Sequence, residues 1–335
     1  MSHNYNLKKI ENSLEFIEDI AFAFKKSRVL LTASELNVFE AIGYRSLSAK
    51  EIAEALHLDI KSTERLLNAL VGIDLLEKKD QNYNNTEASL KHLLRGSDAY
   101  IGSIEHLADL WDTWTNLTET VRQGKPLQYN TLQEKSPEWL HAFVNSIFWR
   151  SSIEAPNVVS HLHLKGVNRV LDLGGGKGAF TCNLIKASPT IKVTLFDLPQ
   201  VIPYAEEYLS TSGVRDQVNL LAGDFTTDDI GSGYDMILLS NVISFRSIWE
   251  NVTLLQKCFD ALNHGGQIVI YDMVINDSRT KPLNHTLFSL NMLLNTMSGD
   301  AYTETDIWIM LREAWFRDIS RIETKFDSSI MIGIR

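Results

Sequence analysis

Residues 168–178 combine the pattern of a buried strand with an acid and a cluster of glycines. The segment reads Asn-Arg-Val-Leu-Asp-Leu-Gly-Gly-Gly-Lys-Gly, so four of its last five positions are glycine. Glycines between a strand and a helix allow unusual backbone angles and let a ligand approach the bare main chain. An ordinary glycine loop is the alternative. We predict a first strand, a binding turn and a helix that begins near Lys177. The residues predicted to form the binding turn are Asp172, Gly174, Gly175 and Gly176.

Two further acids follow predicted strands and restrict what the turn could bind. Residues 191–196 indicate a second strand that ends at Asp197, and residues 218–221 indicate a third that leads to Asp224 and Phe225. An acid about 20 residues after a glycine turn suits the hydroxyls of a ribose. The pattern therefore predicts a nucleoside-containing ligand.

A dinucleotide is one such ligand, because Gly174, Gly176 and Ala179 satisfy the looser dinucleotide fingerprint. However, Asp172 immediately precedes the glycines, where it would repel an anionic pyrophosphate. No cluster of Arg or Lys lies nearby in the sequence to offset it. A ligand that carries an ammonium and a sulfonium group would favour an acidic site. S-adenosylmethionine carries both groups, and we predict it as the cofactor.

The motifs from Val170 onward resemble those of the small-molecule O-methyltransferases typified by caffeic acid, hydroxyneurosporene and acetylserotonin O-methyltransferases. They are Val-Leu-Asp-Leu-Gly-Gly-Gly-Lys-Gly at 170–178, Phe-Asp-Leu-Pro at 196–199, Gly-Asp-Phe at 223–225 and Gly-Gly-Gln-Ile-Val-Ile-Tyr-Asp at 265–272. The resemblance covers almost the whole chain. It implies an α/β class I methyltransferase, with a Rossmann-like doubly wound sheet and an N-terminal helical winged-helix dimerisation domain.

The resemblance also implies roles in cofactor binding. Asp197 would hold the ribose hydroxyls, and Asp224 would hold the adenine amino group. Leu198 and Phe225 would flank the adenine ring. Ser151 would bond the methionine carboxylate.

The same resemblance implies an acceptor pocket. Ser240 stands beside the cofactor, where the family often has a Lys. The residues that would line the pocket are Phe148, Trp149, Phe288, Asn291, Met292 and Asn295.

The family's catalytic base is missing from this sequence. The family carries a His just after the fourth strand, within a His-Asp-Trp sequence, to remove a proton from a neutral hydroxyl acceptor. In this chain Ser244, Phe245 and Arg246 occupy those three positions. A serine hydroxyl cannot act as a general base near neutral pH, so the position no longer supplies the base.

The acidic partners of that His are also incomplete. Asp272, at the end of the fifth strand, keeps one acidic position, whereas Ala301 and Tyr302 replace the family's Glu and Arg. Three alternatives follow: an acceptor that is already acidic or reacts at carbon, another base such as Asp272 or His285, or a protein that binds S-adenosylmethionine without methylating. His285 would open the helix that lines the acceptor pocket, or would lie at the surface there.

The N-terminal part has the pattern of a winged helix. The predicted elements are helices over 7–30, 33–42, 49–56 and 60–73, the third opened by a capping box of Ser48 and Glu51, and a small β-wing over 75–78 and 83–85. A winged helix could bind DNA, but residues 45–95 contain eight Lys or Arg and eight Asp or Glu. A DNA-binding domain would normally be basic. We predict instead a homodimer, with the apolar stripe of residues 14–24 at its interface.

Strands that alternate with helices in the second half predict a parallel, doubly wound sheet. The remaining predicted elements are helices over most of 97–163, strands over 234–239 and 267–271, helices over 247–262, 283–297 and 303–315, and antiparallel strands near 319–323 and 329–333. We predict a dimerisation domain over 1–95, a helical connector that lines the acceptor pocket over 96–163, and the methyltransferase domain over 164–335.

Composition narrows the class of protein further. The 335 residues have a formal charge of −10, which argues against nucleic acid as a partner. Cys182 and Cys258 lie in predicted helices and indicate buried, reduced thiols. The sequence predicts neither a signal peptide, nor a membrane span, nor a metal site, and we expect a cytoplasmic protein. The expected acceptor is a small, partly aromatic or polyketide-like molecule, methylated at oxygen, nitrogen or carbon.

Overall fold

A computed structural model describes residues 2–97 and 99–335, with side chains from Ser13 onward. The chain divides into two units, residues 1–109 and residues 110–335. The domain boundaries at residues 95 and 163 stay predictions. Among the described residues, none of the helices has both the length and the apolar character needed to cross a membrane.

The first unit is a set of helices around a small antiparallel sheet. Its elements are α1 (Ser2–Glu35), α2 (Val38–Ile42), β1 (Leu47–Ser48), α3 (Ala49–Leu56), α4 (Ile60–Gly72), β2 (Leu76–Lys79), β3 (Asn82–Asn85) and α5 (Glu87–His92). The strands lie in the order β1-β3-β2. The predicted capping box is present, since Ser48 Oγ accepts from Glu51 N at 3.3 Å while Ser48 N donates to the Glu51 carboxylate at 2.8 Å. The bounds predicted for the first two helices, 7–30 and 33–42, are wrong, because α1 continues to Glu35 and α2 begins at Val38. The winged-helix assignment stays a prediction.

The second unit alternates strands and helices. After α6 (Ile104–Thr115), which crosses from the first unit, its elements are α7 (Leu117–Gln123), α8 (Pro137–Ser160), β4 (Arg169–Leu173), α9 (Ala179–Ala187), β5 (Lys192–Asp197), α10 (Ile202–Thr211), β6 (Val218–Ala222), β7 (Tyr234–Ser240), α11 (Ile248–Ala261), β8 (Leu262–Ile275), α12 (Leu283–Asn295), β9 (Tyr302–Thr303), α13 (Glu304–Glu313), β10 (Arg317–Glu323) and β11 (Ser328–Ile334). Short 3₁₀ helices occupy 132–134, 215–217 and 243–245. The helix predicted to begin near Lys177 begins at Ala179.

The second unit is organised around one twisted sheet with strand order β10-β11-β8-β7-β4-β5-β6. The strands from β8 to β6 run parallel, whereas β10 and β11 pair antiparallel with their neighbours, as predicted. Buried side chains fill both faces: Ile268 and Ile270 of β8 belong to one core, and Val269 and Tyr271 belong to the other. This is the predicted doubly wound α/β fold of class I methyltransferases.

The sheet also fixes where a ligand can bind. The chain places β5 and β6 on one side of β4 and β7 and β8 on the other, so the connections leave β4 and β7 in opposite directions. In such sheets a crevice opens at the carboxyl ends of the strands, at this switch point. The predicted glycine turn follows β4, and Asp197 ends β5. Ser240 ends β7.

Candidate active site

The glycine turn after β4 is held by the end of β5. Asp197 Oδ2 accepts a hydrogen bond from Gly176 N at 2.7 Å, and Asp197 Oδ1 accepts one from Leu198 N at 2.7 Å. Gly174 N donates to Phe196 O at 2.8 Å. Burial raises the pKa of Asp197 to about 6, against the effect of the two main-chain donors. Asp197 therefore holds the turn in place. Its remaining lone pairs can still accept hydrogen bonds from a ligand.

Glycine is required in this turn because neighbouring atoms leave no space for a side chain. A Cβ on Gly175 would lie 2.7 Å from Leu195 Cγ and 3.0 Å from Asp172 Oδ2, and one on Gly174 would lie 2.9 Å from Val242 Cγ2. The bare main chain of Gly174 to Gly176 is the kind of surface that a ligand can approach closely. These glycines therefore fit a nucleoside-binding turn.

We expect Gly175→Ala to destabilise the protein by about 1–3 kcal/mol, because the added methyl group meets buried atoms that cannot move freely. Thermal unfolding measures the effect. Gly72→Ala is the matched control, since nothing lies within 4 Å of a Cβ at Gly72. Equal unfolding temperatures for Gly175→Ala and the parent protein would contradict the tight packing of the turn.

Asp172 lies behind the turn and is fully buried. Its Oδ2 accepts a hydrogen bond from Thr181 Oγ1 at 2.6 Å, and its Oδ1 has no hydrogen-bond partner among the described residues. Burial raises the pKa of Asp172 to about 6, and the nearby charge of Asp197 adds to this effect. Asp172 thus packs the strand against α9 and adds negative potential beneath the turn.

Asp224 and Phe225 lie after β6, beside an arginine that sequence reasoning missed. Asp224 Oδ1 accepts from Thr226 N at 2.9 Å, and Oδ2 accepts from Gln133 Nε2 at 3.3 Å. Burial raises the pKa of Asp224, but the hydrogen bonds from Thr226 and Gln133 and the charge of Arg246 together lower it below its ordinary value. The guanidinium carbon of Arg246 lies 4.8 Å from the centre of the Phe225 ring, at the position where the family has Trp. The cation could therefore cover a flat ring beside Phe225.

The helix α8 contributes aromatic side chains near the same crevice. Phe143 packs with Leu198 in a small apolar cluster and meets the Phe245 ring edge-on, with centroids 6.3 Å apart. Phe143 was missed because a helical aromatic residue is usually core, and only the packing distinguishes it. Phe148 lies 4.6 Å from the Tyr208 ring, and Lys177 Nζ lies 4.8 Å from the Phe148 ring centre. Phe148 therefore lies beside the glycine turn. Trp149 is half-buried and Ser151 is buried on the same helix.

Ser244 lies in the 3₁₀ helix after β7, and its side chain meets Asp272. Asp272 lies within β8 rather than at its end, because the strand continues beyond the predicted residue 271 to Ile275. Asp272 is 1% exposed and Ser244 is 2% exposed. Asp272 Oδ1 accepts from Ser244 Oγ at 2.5 Å and from Met273 N at 2.8 Å. Asp272 Oδ2 has no hydrogen-bond partner within the described part of the chain. Burial raises the pKa of Asp272 to about 6, although the donors Ser244 and Met273 lower it. The pair is thus a buried carboxylate with one oxygen held by two donors and the other buried without a hydrogen-bond partner among the described residues.

The two segments that depart from the family's motifs, 244–246 and 301–302, are joined through their neighbours. The hydrogen bonds that join them run from Asp300 N to Ser244 O at 3.0 Å, from Ser298 Oγ to Glu250 Oε2 at 2.7 Å, and from Tyr302 Oη to Arg246 O. The residues around positions 244–246 and 301–302 therefore form one connected set of contacts.

The helix α12 brings several predicted pocket residues onto one element. Asn295 Nδ2 donates to Asn291 Oδ1 at 3.2 Å, and Trp114 Nε1 donates to the same oxygen at 3.2 Å. Phe288 is half-buried, whereas Met292 is 2% exposed and belongs to the core. Trp114 was not predicted as a pocket residue, because its contact with α12 joins residues 177 positions apart.

His285 lies in the first turn of α12 but is only 1% exposed, so a surface position for it is wrong. Its Nδ1 lies 3.1 Å from Val274 O, and its Nε2 has no hydrogen-bond partner among the residues that the structure describes. Burial lowers the pKa of His285, while the Val274 carbonyl opposes this effect. The imidazole is therefore a neutral group near pH 7, enclosed beside β8.

Ser240 and Asn241 lie at the end of β7, beside the crevice at the switch point of the sheet. Asn241 has a left-handed backbone, with φ at 55°, and its Nδ2 donates to Ser240 Oγ at 3.2 Å. Asn241 N donates to Tyr271 O at 2.8 Å. Among the residues with described side chains, no group of three or more His, Cys, Asp or Glu could hold a metal ion. Polar groups and bare main chain thus surround the switch point of the sheet.

The fold and this site define a class I, S-adenosylmethionine-dependent methyltransferase. A family model described as the O-methyltransferase domain matches residues 114–317, and one described as the O-methyltransferase dimerisation domain matches residues 18–95. The chain therefore belongs to the O-methyltransferase family.

Individual relatives match along most of their length. The chain is 30% identical over 315 residues to 3-hydroxy-5-methyl-1-naphthoate 3-O-methyltransferase of Streptomyces sahachiroi, with 91% of this chain and 90% of the relative covered. It is 25% identical to the N,N-dimethyltransferase OxyT of Streptomyces rimosus, with 93% and 94% covered. The crystal structure of human N-acetylserotonin methyltransferase in complex with SAM has a TM-score of 0.85 and 25% identity, with 96% and 97% covered.

Proposed function

We propose that this enzyme transfers the methyl group of S-adenosylmethionine to a hydroxyl group of a small aromatic or polyketide-like acceptor, and that Asp272 accepts the hydroxyl proton. The observation that carries the proposal is the buried Asp272 carboxylate. Ser244 and Met273 occupy its Oδ1, and its Oδ2 has no hydrogen-bond partner among the described residues. A buried polar atom without a partner is costly, so a donor on the acceptor would satisfy it.

This geometry favours a protonated acceptor over the alternatives. An O–H or N–H group could donate to Asp272 Oδ2, whereas a carbon nucleophile would leave that oxygen unpaired. A base works best when its pKa lies near the working pH, and burial raises the pKa of Asp272 to about 6. Ser244 would hold the carboxylate in place and lower its pKa. His285 is the second candidate base, because it is equally buried and its Nε2 also has no hydrogen-bond partner among the described residues.

The cofactor assignments follow the same reasoning from this chain's own residues. S-adenosylmethionine would supply a methyl group already activated by its sulfonium. Asp197 would accept from the ribose hydroxyls, and Asp224 from the adenine amino group. Leu198 and Phe225 would flank the adenine ring, and Arg246 would cover its edge. The cationic ligand suits a site that contains the negative charges of Asp172 and Asp197.

The remaining residues would orient the acceptor and exclude water, which is most of what methyl transfer requires of a protein. Asn291, Asn295 and Trp114 would present polar groups, and Phe288 and Trp149 would present aromatic surface. Met292 would support this wall from the core. Ser151 would bond the methionine carboxylate, and Ser240 would lie beside the cofactor. Phe148, beside Lys177, would border the cofactor rather than the acceptor.

We infer the class of acceptor from the names of the relatives. One of them is named for methylation of a hydroxynaphthoate oxygen and another for dimethylation at nitrogen.

The test is incubation with ¹³C-methyl-labelled S-adenosylmethionine and a panel of hydroxylated aromatic and polyketide compounds. Mass spectrometry detects the product, and the ¹³C chemical shift identifies the atom that carries the label. A label on carbon would contradict our proposal. Tight cofactor binding with no product from any acceptor would favour a non-methylating protein.

We also propose that the protein is a homodimer that uses the first helix. The apolar side chains of α1 are exposed: Leu14 by 58%, Phe16 by 64%, Ile17 by 60%, Ile20 by 62%, Phe22 by 52% and Phe24 by 54%. An apolar surface of this size on a helix is typical of an interface between subunits. The match of the dimerisation domain model to residues 18–95 supports the same conclusion.

We expect light scattering at micromolar concentration to give the mass of a dimer. Replacing Ile17 and Ile20 together by Glu should shift the mass towards the monomer, because a charge would be buried at the interface. Asp19→Asn on the same helix is the matched control and should leave the dimer intact. A monomer mass for the parent protein would refute the assignment.

A further inference from the structure

We propose that Arg279 and Asp300 are positioning residues that hold Ser244 against Asp272 and thereby set the reactivity of the Asp272 carboxylate. The inference rests on the proposed function, because it concerns how the suggested base is held. It assigns a role to a pair of charged residues that lie outside the family's catalytic motif.

The first link is the contact of the 296–301 loop with Ser244. Asp300 N donates to Ser244 O at 3.0 Å. At Gly299 a Cβ would lie 2.3 Å from Ser244 O and 2.6 Å from Thr296 Oγ1. The loop therefore packs directly on the Ser244 main chain, and a shift of the loop must move Ser244 as well.

The second link fixes the loop through the side chain of Asp300. Arg279 Nη1 donates to Asp300 Oδ2 at 3.1 Å and to Ala301 O at 3.1 Å, while Arg279 Nη2 donates to Asp306 at 2.6 Å. Asp300 Oδ1 accepts from Ser289 Oγ of α12 at 2.5 Å. These contacts tie the loop to both α12 and α13.

The ion pair between Arg279 and Asp300 is weak, which favours a role in positioning Ser244 over a role in stabilising the fold. The side chains of Arg279 and Asp300 are 43% and 39% exposed, and an ion pair at such exposure contributes little to stability. However, three hydrogen bonds, two from Arg279 and one from Ser289, restrict Asp300 and its loop to one arrangement. The pair therefore acts by placing the Ser244 carbonyl, and with it the Ser244 hydroxyl.

A change in the position of Ser244 would change the pKa of Asp272. Ser244 Oγ donates to Asp272 Oδ1 at 2.5 Å, and this bond lowers the pKa of Asp272. If the loop shifts and the bond weakens, the carboxylate becomes harder to ionise. One hydrogen bond to a charged group corresponds to about one pH unit.

The experiment compares Arg279→Met, Asp300→Asn and Ser244→Ala in pH profiles of kcat. We expect the rise of kcat with pH, which reports the ionisation of Asp272, to lie about one pH unit higher in each variant. A shift of that size follows from the loss of the hydrogen bond that Ser244 Oγ donates to Asp272. A shift of that size lowers turnover at pH 6 by about fivefold and leaves turnover at pH 9 within about twofold. The double variant Arg279→Met with Ser244→Ala should shift no further than Ser244→Ala alone, because both act through the same bond.

Arg215→Met is the matched control. Arg215 also pairs with a carboxylate, Glu206, and donates to a main-chain carbonyl, Val218 O, but on the far side of the sheet. This variant should keep the parent pH profile. An unchanged limb in Arg279→Met and Asp300→Asn, with a shifted limb in Ser244→Ala, overturns the positioning role alone. Full turnover in Asp272→Asn overturns the assignment of the base instead.

Discussion

Asp272→Asn should lower kcat by about 10²–10⁴-fold, which is the contribution typical of a general base. The amide keeps the size of the side chain but cannot accept the proton from the acceptor. The dissociation constant of S-adenosylmethionine should stay unchanged, because Asp272 lies at the acceptor side of the proposed site. Single-turnover kinetics and calorimetry measure the two quantities separately.

The direction in which turnover changes with pH also tests whether Asp272 is the base. Burial raises the pKa of Asp272 to about 6, so turnover of the parent enzyme should rise as the pH increases through 6 and the carboxylate ionises. Asp272→Asn should lose this limb. Asp235→Asn is the matched control, since Asp235 is a carboxylate that accepts hydrogen bonds from the main-chain N–H groups of Asn168 and Arg169, at the opposite end of the strands. It should keep the limb.

A complementary change restores the family's own residue. If Ser244→His raises turnover manyfold with a new limb near pH 6.5, the reference pKa of His, the parent site merely lacks a base and the role of Asp272 is wrong. If Ser244→His has no such effect while Asp272→Asn abolishes turnover, the proton leaves through Asp272. If neither substitution changes turnover, the enzyme works by orienting the acceptor alone.

The second large effect concerns the cofactor. Asp197→Ala should weaken binding of S-adenosylmethionine by about 2–4 kcal/mol, a factor of about 30–1,000 in Kd, because two charge-assisted hydrogen bonds to the ribose are lost. Calorimetry measures the change. Unchanged affinity would contradict the assignment, and a preference for a nicotinamide dinucleotide would contradict the class of site.

Asp197 also holds the glycine turn, so the variant needs two controls. Asp197→Asn keeps one carbonyl oxygen and should weaken binding less than Asp197→Ala. Asp59→Ala removes a carboxylate that likewise accepts two hydrogen bonds, both from Ser62, at the start of α4. It should lower the unfolding temperature, because the helix loses its N-cap, and leave cofactor affinity unchanged.

The sequence by itself predicted the doubly wound sheet, the glycine turn and the acids Asp197 and Asp224. These features are local, since a strand pattern, a turn and an acid at the next strand end lie within a few residues of each other. The common direction of parallel strands then brings those ends to one edge. The absence of a His at position 244 was equally visible in the sequence.

Only the tertiary structure showed which groups Ser244, at the position of that His, contacts. The bond between Ser244 and Asp272 joins residues 28 positions apart, and the contact of Asp300 with Ser244 joins two loops that no periodicity relates. The same holds for Arg246 over Phe225 and for the burial of His285. Such contacts depend on how distant segments pack, because a side chain meets neighbours that its own local sequence does not specify.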